Sequence, residues 1–97
     1  MLNEFINQNY LIIQNNIVVN VVFWNGDTST WTPPQGAIAL VQATTPAMIW
    51  LPVSDGTKIT DWVLTEVIGA GDIDFTWDGS AVITNQPKPE IPPTSND

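Results

Sequence analysis

The chain has 97 residues, enough for one domain with a thin core. Ten carboxylates against two lysines give a net charge of −8, which argues against nucleic acid and against an anionic membrane surface, both of which need basic side chains. Cys and His are absent, so neither a disulfide nor a zinc site is expected.

Hydrophobic residues make up 43% of the chain and charged residues 12%. The charged share is about half the usual one. So little charge leaves apolar surface uncovered in a monomer and points to burial against partners. Five Trp residues push the same way, because Trp is favoured at interfaces. The start, Met1-Leu2-Asn3-Glu4, lacks a basic leader, and the apolar stretch from Leu11 to Trp24 is too short and too interrupted to span a bilayer. The expectation is a soluble protein made in a cytoplasm.

In chain order, Asn9 to Ile13 reads as a first strand and Gln14-Asn15-Asn16 as a turn, because Asn tolerates left-handed φ. Ile17 to Trp24 is the second strand. It is apolar on both faces, as in a strand covered on both sides or one that uses a face at an interface. Residues 25–36 form a loop with Trp31 positioned to pin it before Pro33-Pro34. Ala37 to Ala43 and Ala47 to Val53 are further strands, separated by Thr44-Thr45-Pro46. Pro52 marks an edge or a bulge, since it cannot donate to a ladder. Ser54 to Thr57 is a turn. Ile59 to Ile68 has apolar residues that would suit a helical face, but its β-branched content favours a strand. Asp72 to Trp77 alternates, with Ile73, Phe75 and Trp77 on one face. Asp78-Gly79 then turns into a strand over Ala81 to Thr84. Asn25-Gly26 and Asp78-Gly79 both suit type I′ hairpin turns.

These elements predict an all-β fold, a small antiparallel β-sandwich or barrel built from hairpins. The domain is expected over residues 1–86, with an extended Pro-rich C-terminal arm over 87–97. That tail has four prolines and one large apolar residue, Ile91, so it cannot form a core alone. It either stays mobile or lies on a neighbour.

Catalytic constellations are weak. Asp27-Thr28-Ser29 lacks the glycine of an aspartic protease dyad, and Asp55-Gly56-Thr57 and Asp78-Gly79-Ser80 have the wrong order. Each Asp is better read as a turn residue. The stretch Asp74 to Gly79 loosely matches the start of a calcium loop, but its third place is Thr76 and its twelfth is Asn85 rather than Glu. No His is present to act as base for a serine nucleophile. Gly69-Ala70-Gly71 is followed by acid rather than Lys, so it does not cradle phosphate. Neither catalytic residues, nor a cofactor, nor a metal are expected. Trp24, Trp31 and Trp50 could stack on sugars beside polar loops, although core or interface packing is the simpler role.

The run Asn9 to Asp27, with its Val18-Val19-Asn20-Val21-Val22 centre and Trp24-Asn25-Gly26 close, resembles small proteins of tailed bacteriophages. Trp31 to Gly36 continues the likeness, as do Phe75 to Ser80 and the Pro-rich end. The segment Thr44 to Gly71 has no counterpart. The resemblance implies a non-catalytic virion structural protein, either a capsid decoration or cement protein or a tail or fibre component, located in the virion. It implies other virion proteins as partners and a homo-oligomer. The alternative is a receptor- or carbohydrate-binding module at a fibre tip, with host-surface carbohydrate as ligand. The residues expected at the interface are Val19, Val21, Phe23, Trp24, Trp31, Trp50, Pro89, Ile91 and Pro92.

Overall fold

Two consecutive asparagines organise the start of the fold. Asn15 and Asn16 take φ values of 56° and 65°, and they alone separate the paired residues Gln14 and Ile17. Two successive left-handed residues make a type I′ turn, whose twist matches that of the strands it joins. The turn links β1 (Gln8–Gln14) to β2 (Ile17–Trp24).

The structure is a computed structural model and describes residues 6–91. After β2 come β3 (Ile38–Val41), a 3-10 turn (Gln42–Thr44), β4 (Pro46–Ser54), β5 (Ile59–Ile68), β6 (Thr76–Trp77) and β7 (Val82–Ile83). The fold is all-β. The strands join one sheet in the order β3-β1-β2-β6-β7-β4-β5, so the expected sandwich or barrel narrows to one sheet with β3 and β5 at its edges. Five of the six strand pairings are antiparallel; β4 and β7 run parallel. That pair is parallel because β5 and residues 69–81 carry the chain back before β7 docks.

The core forms where β1, β2, β4 and β7 meet. Leu11, Ile13, Val18, Ala47 and Val82 are buried together, and Val21, Leu40, Ala70, Phe75 and Trp77 pack around them. Ile12 is also buried, at 1% exposure. Because side chains alternate along a strand, β1 is therefore covered on both faces. The two-sided burial considered for Ile17 to Trp24 falls on β1 instead. In β2, Ile17, Val19 and Phe23 are exposed. A bulge accounts for Val19: Ile12 pairs with Asn20 and Ile13 with Val18, leaving Val19 without a partner, while Ile17 and Phe23 lie toward the two ends of the strand.

Gly71 sits against this core. A Cβ placed there would lie 2.8 Å from Val82 Cγ2 and 2.9 Å from Leu11 Cδ1, so only a residue without a side chain fits. The buried Thr45 is satisfied, its hydroxyl donating to the Val41 carbonyl at 2.6 Å.

Three local expectations need correction. The strand expected over Asp72 to Trp77 shrinks to Thr76–Trp77. Asp74 has a φ of 76°, which breaks the alternation and leaves Ile73 exposed. Asp74 N–H donates to the Val18 carbonyl, and Val18 N–H donates to the Phe75 carbonyl, so the segment meets β2 through a turn. Asn25-Gly26 does not close a hairpin, because the next strand, β3, pairs with β1 rather than β2. Asp78-Gly79 does join two paired strands, but only Gly79 of the two has positive φ, at 101°. The Asp78 carboxylate shapes that turn by accepting the N–H groups of Ser80 and Ala81, each at 2.8 Å.

Candidate interaction surface

Apolar side chains are divided unusually between inside and outside. Among the described residues seven hydrophobic residues are buried, while twelve large ones are exposed. The shape agrees. The radius of gyration is 17.5 Å and the principal extents are 64 × 30 × 21 Å. A compact chain of this length would have a radius of about 12–13 Å. Elongation leaves apolar side chains without intramolecular neighbours.

Two regions stand out among the exposed residues; Ile17, Val19, Ile38 and Ile73 lie outside both. The first is the open end of the β1–β2 hairpin. There Trp24 contacts Tyr10 and Trp31, each at a ring-centroid distance of 5.1 Å, the Trp31 contact being edge-on. These distances suit attractive aromatic pairs. Trp24 Nε1 donates to the Asp27 carbonyl at 3.3 Å. Gly26, with φ of 83°, passes so close to Tyr10 that a Cβ would lie 2.9 Å from the hydroxyl. The loop over residues 25–37 is thus anchored by aromatic contacts at one end and by Gln14 Nε2 donating to the Gln35 carbonyl at the other. Trp31 remains 39% exposed, and Phe23, on the opposite face of β2 from Trp24, is 71% exposed.

The second region is the β4–β5 hairpin. Only Ala47 of its strands is buried. Residues 51–58 are all exposed, among them Leu51 and Val53, and Val63 stands exposed on β5. Only Ala47 and Met48 of β4 pair with β7. Beyond them the chain after β7 runs beside β4. Thr84 N–H donates to the Met48 carbonyl at 2.9 Å, and Trp50 Nε1 donates to the Gln86 carbonyl at 2.9 Å. Lys88 Nζ meets Asp61 at 3.0 Å. An open groove of about 640 Å³ lies here, lined in part by Ile49, Trp50, Pro87 and Pro89.

The residues expected at an interface therefore have different surroundings. Val19, Phe23, Trp31 and Ile91 are exposed. Val21 packs half-buried against the core, because it lies opposite Leu11. Trp24 is half-buried in the aromatic cluster, and Trp50 and Pro89 are half-buried at the groove. Pro92 lies outside the described residues. The structure brings Trp24 and Trp31 together, and Trp50 and Pro89 together; β2 separates Phe23 from both Trp24 and Trp31. Tyr10, Leu51, Val53 and Val63 were not singled out from sequence. A period-2 reading of the strand over 59–68 would have exposed Val63, whereas Leu51 required knowing how little of β4 is covered.

The acidic residues singled out as catalytic or calcium-binding candidates are engaged in turns. The Asp27 carboxyl is held below its usual pKa mainly by the Ser29 hydroxyl, then by the Ser29 N–H. The Thr57 N–H, then its hydroxyl, lower that of Asp55. The Ser80 N–H, then that of Ala81, lower that of Asp78. Asp61 is lowered first by its hydrogen bond from Lys88. Among the described residues no three His, Cys, Asp or Glu side chains gather as a metal site would require, and no helix is long and apolar enough to cross a membrane.

No protein-family model, curated protein or solved structure matches the chain.

Proposed function

We propose that this chain is a non-catalytic assembly component of a tailed-phage virion, a capsid decoration or cement protein or a piece of the tail or fibre. The observation that carries the assembly reading is the excess of exposed over buried large apolar side chains, arranged on an elongated sheet. Surface of this kind is costly in a free monomer and useful between subunits. The carboxylates most suggestive of chemistry are used as turn acceptors, which fits a structural role. The virion setting rests on the resemblance of residues 9–27, 31–36 and 75–80, with the Pro-rich end, to small phage proteins. Mass spectrometry of purified phage particles tests it. A fixed copy number per particle supports the reading, and absence from particles removes it.

One feature supports a carbohydrate- or receptor-binding role at a fibre tip as the second reading. Trp31 is 39% exposed beside the Ser29 and Thr30 hydroxyls, which donate to Asp27 and keep lone pairs free to accept, the pairing of apolar face and polar rim that a sugar uses. Glycan-array binding lost in Trp31→Ala would favour it.

A further inference from the structure

We propose that β5 is the surface on which a second copy of this chain adds its own β5, antiparallel, about a two-fold axis through Val63. The proposal deepens the assembly reading and rests on it, because it names the strand, the partner and the register.

An unpaired edge strand offers a row of backbone N–H and C=O groups to any other strand, so free edges are ordinarily short, or carry proline, charged side chains (lysine above all) or a bulge. At one end of the sheet, β3 has four residues. The part of β4 beyond its pairing with β7 carries Pro52 and has Pro87 and Pro89 beside it. By contrast, β5 is ten residues long and lies at the outer end of the sheet. From Asp61 to Ile68 it contains no Pro, Gly or Lys and keeps regular register with β4; its protection is limited to two carboxylates, Glu66 and Asp61, the latter accepting the Trp62 N–H at 2.8 Å. Val63 and Ile68 on it are exposed at 46% and 52%. Among the described residues it is the longest unpaired run; the outer side of β2 is also open from Val19 to Trp24, but it is shorter and interrupted by the bulge at Val19. A long open edge is expected of a strand that is paired when the protein is at work.

Side-chain order identifies a second copy as the occupant. A two-fold axis normal to the sheet centres the pairing on one residue and matches the others symmetrically about it. Centring on Asp61 or Glu66 would oppose identical carboxylates, which is destabilising. Centring on Trp62 sets Asp61 against Val63, and centring on Leu64 sets Trp62 against Glu66. Centring on Thr65 sets Leu64 against Glu66. Centring on Val63 pairs Val63 with itself, Trp62 with Leu64 and Ile59 with Val67, while Asp61 meets Thr65 and Glu66 meets Thr60. In that register the apolar residues from Ile59 to Val67 face apolar residues and each carboxylate faces a hydroxyl, while Ile68 lies beside Lys58 at the strand's end. The Thr65 hydroxyl, bonded only to its own Val63 carbonyl in the single chain, is free to turn to Asp61 of the second copy. The ion pair with Lys88 offsets the charge of Asp61, easing the approach of two acidic chains.

The absence of cysteine makes a register test direct. Directly opposed residues bring their Cβ atoms to about 4.5–5.5 Å, close enough for a disulfide after slight adjustment. Residues two places from the axis end up roughly 13 Å from their own copies. The full chain carrying Val63→Cys should therefore oxidise to a covalent dimer, whereas Thr65→Cys should remain monomeric on a non-reducing gel. The double variant Asp61→Cys with Thr65→Cys should cross-link again. In sedimentation equilibrium, Val63→Lys should weaken self-association about tenfold through loss of the Val pair and like-charge opposition. Because Val63 is exposed, circular dichroism and melting of Val63→Lys should match those of the parent at dilutions where both are monomeric.

Equal cross-linking of Val63→Cys and Thr65→Cys overturns the register. Self-association unchanged by Val63→Lys overturns β5 as the surface, yet leaves the assembly reading standing. A parent chain that is monomeric at every concentration also overturns the pairing, while its presence or absence in phage particles judges the wider reading separately.

Discussion

The β1–β2 and β4–β5 hairpins are similar in length and opposite in use. The first supplies Leu11, Ile12, Ile13 and Val18 to the buried set, and the second supplies only Ala47. The first closes on a two-residue Asn turn. The second ends in a wider turn in which Asp55 Oδ1 accepts the N–H groups of Thr57 and Lys58. Both are apolar, so hydropathy alone does not separate them. Coverage does: β1 has a strand on each side and material on both faces, while β5 has one neighbour. The first hairpin holds the domain together, and the second presents apolar surface outward.

The largest expected effect tests that division. Leu11→Ala should cost about 2–5 kcal/mol, since Leu11 is fully buried. The matching change Leu51→Ala should stay within about 0.5 kcal/mol in the isolated chain. Urea denaturation of both variants measures the contrast. Equal losses would mean that the β4–β5 hairpin shares the core, and the comparison would break.

Next is Gly71→Ala. The added methyl would meet Val82 and Leu11 at under 3 Å, and overpacking of this kind costs about 1–3 kcal/mol. Denaturation midpoints should fall, and Leu11→Val in the same chain should recover part of the loss by making room.

A smaller change should go the other way. Asn16→Gly retains the type I′ turn and removes the steric cost of φ at 65°, for a gain of about 0.5 kcal/mol. Thermal melting detects it. The same replacement at the β4–β5 tip is already present as Gly56, so no gain is expected there.

The smallest effect is on pH. The Asp78 carboxyl is held below its usual pKa by the Ser80 N–H, then the Ala81 N–H and the Ser80 hydroxyl. A depressed folded pKa means stability that is present above the unfolded value and is lost as pH falls through the folded one. The melting temperature should therefore decline below about pH 4. Asp78→Asn, which keeps an acceptor oxygen but does not titrate, should flatten that decline slightly.

Much of the architecture was legible. The strands over 17–24 and 59–68 begin and end where β-branched runs meet Asn, Lys and Gly, and the all-β class followed from them. Asn15-Asn16 announced its own turn because few other residues accept left-handed φ. What stayed hidden depended on distant parts of the chain. Nothing local to Asp74 forecasts its positive φ, which serves the hydrogen bonds to Val18. Nothing local to Val19 forecasts a bulge, which exists because Ile13 and Val18 must both reach the core. Among the proposed contact residues, Trp24 and Trp31 were legible as aromatics flanking a loop. The exposure of Leu51 was not, because it depends on how far β4 extends past its last partner.

The parallel pairing of β4 with β7 has a consequence for the order of folding. Both large hairpins can form as soon as their own residues are made, since their contacts are close in sequence. They sit on opposite sides of the sheet and are joined only by the two-residue strands β6 and β7, which follow both in the chain. A nascent chain that has reached Gly71 therefore holds two hairpins with no strand between them. The late insertion of Thr76 to Ile83 unites them, and long-range closure of this kind is slow. During that interval the unprotected edge of β5 is available while the core is still open. Refolding yield should fall with concentration more steeply than for a sheet assembled from neighbouring hairpins.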